Sequence, residues 1–109
     1  MKLIQCIIRQ EKLPHVVEQL SSIVPGMTVS EVRGHGRQGG HHVVYRGVEY
    51  TVTLLPKVMI EIVIEDNKVE DVVKIVSEAA KTGEIGDGRI FVSPVEQAYH
   101  VRTGFMELD

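Results

Sequence analysis

The sequence has no tryptophan, one cysteine and only 5% aromatic residues, and each scarcity removes a class of protein. Cys6 alone permits no internal disulfide framework and cannot by itself make a zinc site. Its place in an apolar run marks it as a buried structural residue. No apolar run approaches the ~20 residues that a membrane helix requires, and the opening Met1-Lys-Leu-Ile-Gln-Cys6 reads as a strand without a signal-peptide cleavage site. A soluble, cytoplasmic protein without membrane insertion is expected. The formal net charge of -3 gives no basic excess to neutralise a nucleic-acid backbone, although a local anion site remains compatible with it.

What is present is enough for one core. With 43% hydrophobic residues in 109, the chain supports one compact domain spanning 1–109 and is too short for two ordinary ones. Leu3, Ile4, Cys6, Ile7 and Ile8 form a β-rich run. From Leu13 the spacing becomes helical, with Leu13, Val16, Val17, Leu20 and Val24 at steps of three and four; Pro14 suits the first turn, and Pro25-Gly26 ends the helix. Met27, Val29 and Val32 suggest a second strand leading to Gly34. After Pro56, Val58, Ile60, Ile62 and Ile64 alternate with Met59, Glu61, Val63 and Glu65, the clearest strand pattern in the chain. Asn67 and Glu70 resemble a capping box, followed by a stripe of Val69, Val72, Val73, Val76, Ala79 and Ala80 that Gly83 closes. Arg89 to Pro94 makes a fourth strand.

The order β-α-β-β-α-β predicts an α+β, ferredoxin-like split βαβ sandwich with both helices on one sheet face. The third strand carries large apolar residues on both alternating sets, Met59 and Val63 included. We therefore expect the second face to be covered by further copies of the chain in a symmetric homo-oligomer.

The stretch Gly34 to Tyr50 breaks these patterns. Gly34, Gly36, Gly39 and Gly40 permit close backbone approach to a ligand, and Arg37 and Gln38 add hydrogen-bonding side chains, the composition of an anion cradle. Tyr45, Arg46, Glu49 and Tyr50 then combine aromatic surface with charge, as protein-binding loops do. A structureless loop of this length inside a small domain is expected to be functional.

Gly34-His-Gly-Arg-Gln-Gly39 fits the GxGxxG pattern after a strand, but the β-branched His41-His-Val-Val-Tyr45 follows where a Rossmann turn needs a helix. Gly83 to Ile90 approaches a Walker A loop but has Arg89-Ile90 in place of Lys and Ser/Thr. Two glycine turns at strand ends remain, one with Arg37 and one with Arg89. Backbone amides and guanidinium forks are both strong phosphate ligands. His35, His41 and His42 lack a neighbouring Cys or acidic ligand, and adjacent residues of an extended chain face opposite ways, so they read as solvated histidines. No Ser/His/Asp or Cys/His spacing supports catalysis; Glu61 is the acidic candidate for a slow ATPase. A module without catalytic residues is favoured.

Five motifs in order resemble the PII signal-transduction proteins: Gly-x-Gly-Arg-Gln-x-Gly at 34–40, Tyr-Arg-Gly-Val-Glu-Tyr at 45–50, Leu-Pro-Lys at 55–57, Thr-Gly-Glu-Ile-Gly-Asp-Gly-Arg at 82–89, and Val-Arg-Thr-Gly at 101–104. The resemblance covers nearly the whole chain, with the family's T-loop at about 36–54. It implies a homotrimer that binds ATP or ADP competitively in clefts between subunits and controls nitrogen-metabolism proteins. By the same resemblance, Thr28, Gly36, Arg37, Gln38, Val63, Gly86, Asp87, Gly88, Arg89, His100 and Arg102 would hold the nucleotide. Gly36, Gln38, Gly40 and Lys57 would hold 2-oxoglutarate beside Mg-ATP, with Gln38 helping to bind Mg²⁺ and Lys57 meeting the distal carboxylate. Tyr50 matches a uridylylated tyrosine, and Tyr45, Arg46 and Tyr50 would contact targets such as an ammonium channel or nitrogen-assimilation enzymes. No prosthetic group is implied.

The chain departs from the family pattern at His35 for Phe, Gly39 for Lys, Arg89 for Lys, His100 for Arg and Val43 for an acidic residue. Gly39 removes a cation beside the phosphate and effector positions, and a neutral His100 would weaken or make pH dependent the hold on phosphate. An alternative function follows: an adenylate or small-anion sensor without 2-oxoglutarate response, regulating a transporter or carbon-metabolism protein.

Overall fold

The computed structural model describes residues 1–35, 41–45, 48–52 and 54–107, with backbone and pairing alone for 41–45 and 48–52. Strand β1 (Lys2–Ile8) is followed by a 3₁₀ turn and helix α1 (Leu13–Leu20), then by β2 (Thr28–Gly34). Strands β3 (His41–Tyr45) and β4 (Val48–Val52) precede the long β5 (Leu55–Ile64); helix α2 (Val69–Ala80) and β6 (Gly88–Pro94) complete the order.

Four strands form one antiparallel sheet in the order β2-β5-β1-β6. Cys6 of β1 stands between Ile60 of β5 and Ile90 of β6, and Ile60 faces Val29 of β2. This is the ferredoxin-like arrangement, in which the two central strands come from the two halves of the chain.

Strand alternation divides the sheet into two unlike faces. Ile4, Cys6 and Ile8 of β1 and Val58, Ile60, Ile62 and Ile64 of β5 are buried. They pack with Val16 and Leu20 of α1 and with Val72, Val76, Ala79 and Ala80 of α2, the helical stripes expected from the spacing. Full burial of each large aliphatic side chain stabilises the fold by about 1.5–3 kcal/mol before entropy is counted. On the opposite set, Leu3, Gln5, Ile7, Met59 and Glu61 are half-buried, and Val63 and Phe91 are exposed. Among the described residues neither helix packs on that face.

Two local expectations change. Asn67 and Glu70 make no capping box, because a 3₁₀ turn, Asp66–Lys68, leads into α2 and no side chain caps it. Asp66 instead accepts from the Met1 ammonium at 2.6 Å, with Lys2 Nζ at 3.8 Å, and this contact holds its carboxyl below the usual range. Helix α2 still begins favourably, since Glu70 and Asp71 lie in its first turn near the positive end of the dipole. The second change lies in the excursion between β2 and β5. There His41–Tyr45 pairs with Val48–Val52 in antiparallel register, from His41↔Val52 to Tyr45↔Val48, where the sequence reading has a structureless loop. Val43, Val44, Tyr45, Val48, Tyr50 and Val52 are good strand formers, which accounts for the ladder.

Among the described residues no helix is long and apolar enough to cross a membrane.

Candidate functional site

The sheet brings three chain segments to one end. Gly34 of β2 is the ladder partner of Leu55 of β5, so the excursion leaves and rejoins the sheet at one point. Next to it, Ile8 at the end of β1 pairs with Gly88 at the start of β6. A cavity of about 540 Å³ opens here, lined by Ile7, Gly34, His35, Leu55, Lys57, Ile85, Gly86, Gly88, Arg89 and Phe91. Ile7, Leu55, Lys57, Arg89 and Phe91 reach it because they alternate with the core residues Ile8, Val58 and Ile90. They therefore belong to the face without helices.

Lys57 is the one buried charged residue among those described, at 8% exposure. Its Nζ donates to the Gly86 carbonyl at 2.7 Å. Burial lowers its pKa first, and the nearby Arg9 guanidinium lowers it further, while Glu11 and Asp87 oppose the shift.

The second glycine turn, 82–88, is held from within and from β1. Asp87 Oδ2 accepts the backbone N–H groups of Thr82 and Gly83, each at 2.9 Å, and its Oδ1 accepts the Thr82 hydroxyl and Arg9 Nε, the latter at 3.2 Å. The Thr82 hydroxyl, with those two amides and Arg9, holds the Asp87 carboxyl well below the usual carboxylate range. Arg9 Nη2 also donates to the Ile85 carbonyl at 3.0 Å. Gly88 has φ 115°, and a Cβ there would lie 1.8 Å from the Ile7 carbonyl oxygen. Only glycine lets β6 start this close to β1.

Chemically, the cavity offers a guanidinium, an ammonium and glycine backbone beside apolar walls. Such a donor set suits an anion with a carbon skeleton, and the charges and amides fit phosphate or carboxylate. The family model described as nitrogen regulatory protein P-II matches residues 1–105, nearly the whole of this chain. The chain belongs to the P-II family. Nitrogen regulatory protein GlnK of Escherichia coli (strain K12) is 52% identical over 105 residues, covering 95% of this chain and 94% of that protein. Nitrogen regulatory protein P-II of Microchaete diplosiphon is 55% identical over the same shares of both chains, and P-II of Azospirillum brasilense is 51% identical.

Set against the P-II resemblance, the expected ligand residues fall into separate groups. Lys57, Gly86, Gly88 and Arg89 share the cavity. Asp87 belongs to the same turn, but its carboxylate faces the turn's own amides and Arg9. Thr28 and Val63 lie on the face without helices, Thr28 opposite Glu61, and neither lines the cavity. His100 and Arg102 are exposed in the C-terminal segment, where His100 N–H donates to the Phe105 carbonyl at 3.0 Å and the Gly104 N–H donates to the His100 carbonyl at 2.8 Å. Gly36, Arg37, Gln38, Gly40 and Arg46 lie outside the described residues. Tyr45 ends β3 and Tyr50 pairs with Val43 across the β3–β4 ladder, with their side chains outside the description.

Glu61, the acidic candidate, accepts from Gln5 Nε2 at 3.4 Å and is absent from the cavity lining. Among the described residues no three His, Cys, Asp or Glu side chains cluster as a metal site. Arg9 escaped the sequence reading, as did the apolar walls Ile7, Ile85 and Phe91. Arg9 carries only one clue, its position immediately after an apolar strand, and its partner Asp87 is remote in sequence.

Proposed function

We propose that this P-II family member is a non-enzymatic signal-transduction regulator of nitrogen-metabolism proteins, working as a cytoplasmic homotrimer. It binds ATP or ADP in clefts between subunits, and Mg-ATP together with 2-oxoglutarate. The observation that carries the reading is the shared cavity of Lys57, Arg89 and the Gly86–Gly88 turn at the point where the 36–54 excursion leaves and rejoins the sheet. The scatter of the remaining ligand residues over the helix-free face and the C-terminal segment agrees with a site completed by a neighbouring subunit. The apolar residues left exposed there, Tyr99, Val101, Phe105 and Met106, agree with the same arrangement.

In this reading Gln38 would help to hold Mg²⁺, which would supply positive charge to offset that of the ATP phosphates and the effector. Lys57 would meet the distal carboxylate, and Gly36 and Gly40 would shape the backbone around the effector. Gln38 and Lys57 stand near the two ends of the excursion, so a ligand touching both selects among its conformations. Shifting such a population from 1:99 to 99:1 requires about 5.5 kcal/mol of differential binding, within reach of a few charge-assisted contacts. Tyr45, Arg46 and Tyr50 would then present the target surface, with Tyr50 available for uridylylation.

One observation favours a second reading, an adenylate or small-anion sensor without 2-oxoglutarate response. The Lys57 ammonium already binds the Gly86 carbonyl, so an effector must compete for it or share it. Calorimetric titration of ATP with Mg²⁺, with and without saturating 2-oxoglutarate, separates the two. The first reading expects 2-oxoglutarate to tighten ATP with no comparable effect on ADP. Uncoupled ATP binding would replace it with the second, and no ATP binding would remove the first and leave only the small-anion form of the second.

A further inference from the structure

We infer that Arg9 is a positioning residue for the glycine turn 82–88, acting through Asp87 and the Ile85 carbonyl rather than by touching nucleotide. The inference rests on the proposed nucleotide reading of that turn. Arg9 sits just beyond the end of β1, and its guanidinium spans two acceptors in the turn: Asp87 Oδ1 at 3.2 Å and the Ile85 carbonyl at 3.0 Å. Its side chain is 14% exposed, so this is a partly desolvated pair rather than a loose surface contact. A planar guanidinium fixes the direction of both bonds, which a single ammonium cannot do.

The consequence for binding follows from peptide geometry. Arg9 holds the carbonyl of Ile85 and Lys57 holds the carbonyl of Gly86, so two consecutive peptides are each fastened by a cation from a different part of the chain. No peptide in the described chain is cis, and in a trans peptide the N–H lies on the edge opposite the carbonyl. Fastening those two carbonyls therefore also sets where the N–H groups of Gly86 and Asp87 aim. These amides lie in a turn whose Gly86 has φ 104°, the left-handed kind of conformation from which amides form anion-binding concavities. Glycine gives the turn this shape but also the freedom to leave it. Arg9 and Asp87 supply the restraint that the glycines lack.

The test uses the full chain with Arg9→Met, Arg9→Lys, Asp87→Asn and the double variant Arg9→Met/Asp87→Asn. Amide hydrogen exchange over residues 83–88 is measured without ligand, and Mg-ATP affinity by calorimetry. Loss of a charge-assisted bond should speed exchange in the turn and weaken ATP, each by about tenfold, in Arg9→Met. Arg9→Lys, which keeps the charge and reaches one acceptor, should recover part of both effects and also serves if Arg9→Met fails to fold. The double variant should bind ATP less weakly than the two single losses multiplied, since both remove one contact. Faster exchange with unchanged ATP affinity would overturn the inference, because Arg9 would then be merely structural. Unchanged exchange would also overturn it. Should wild type bind no ATP while Arg9→Met still loosens the turn, the nucleotide reading falls, and the positioning role falls with it for a different and visible reason.

Discussion

The two faces of the sheet are made from alternate residues of the same strands, yet they are organised on opposite rules. On the helix side, Ile4, Cys6, Ile60, Ile62 and Val72 are at most 1% exposed, and among the described residues no charged side chain belongs to this core. On the other side, Gln5, Lys57, Glu61 and Arg89 stand among half-covered apolar residues, and Lys57 is buried with its charge directed at a backbone carbonyl. The contrast teaches that one residue step along β1, β5 or β6 separates a position that holds the fold together from one that lines the cavity. Apolar burial carries most of the folding free energy, so the helix face tolerates little change. The other face keeps charges that a folding core would exclude, because there they find hydrogen-bond partners or remain within reach of solvent.

The largest break in this contrast should come from Ile60→Ala. It removes most of a fully buried side chain and should destabilise the protein by about 3–4 kcal/mol, read as a lower urea midpoint at constant slope. A loss under 1 kcal/mol would mean that the helix face is not the principal core. Next in size, Gly88→Ala places a Cβ against the Ile7 carbonyl and a side chain at strongly positive φ. Its strain should destabilise by about 2 kcal/mol and shift β6 relative to β1, detectable as chemical-shift changes at Ile7 and Arg89. A smaller effect belongs to acid. Asp87 has a depressed pKa when folded, so its contribution is present above the ordinary carboxylate value of about 3.9 and is lost as pH falls from there toward the folded value. Asp87→Asn should flatten the pH dependence of stability below about pH 4 and leave its shape near neutrality unchanged; an unaltered acid limb would contradict the assignment. The smallest concerns Cys6, whose thiol burial pushes up to about 11. Iodoacetamide at pH 8 should leave the folded protein unlabelled and react readily in urea, and rapid labelling of the native state would show that the helix face opens easily.

Much of the helix-side architecture was legible in the sequence, because periodicity reports burial. The alternation from Val58 to Ile64 and the steps of three and four from Val69 became the elements they implied, whereas the helix from Leu13 ends at Leu20, short of Val24 and Pro25. What could not be read depended on partners distant in sequence. Asn67 and Glu70 look like a cap, but nothing local shows that the Met1 ammonium would engage Asp66, 65 residues away. Likewise nothing local shows that Arg9, 78 residues earlier, would engage the Asp87 carboxylate alongside the Thr82 and Gly83 amides. Strand propensity was visible in Val43, Val44 and Tyr50, yet the glycines around them concealed the β3–β4 pairing. At the site, Lys57, Gly86, Gly88 and Arg89 were legible as a group from glycine turns and resemblance. Thr28, Val63, His100 and Arg102 do not line this cavity.

The measurement that bears most directly on the account is the coupling between 2-oxoglutarate and Mg-ATP in wild type and in Lys57→Gln, by calorimetry at one pH and ionic strength. In wild type, 2-oxoglutarate should tighten ATP by about fivefold or more. In Lys57→Gln the coupling should disappear, while ATP affinity without effector should fall by no more than about tenfold as the Gly86 peptide loses its restraint. Coupling that survives the loss of Lys57 would contradict the claim that this helix-free face of the sheet, through its one buried charge, links the effector to the glycine turn.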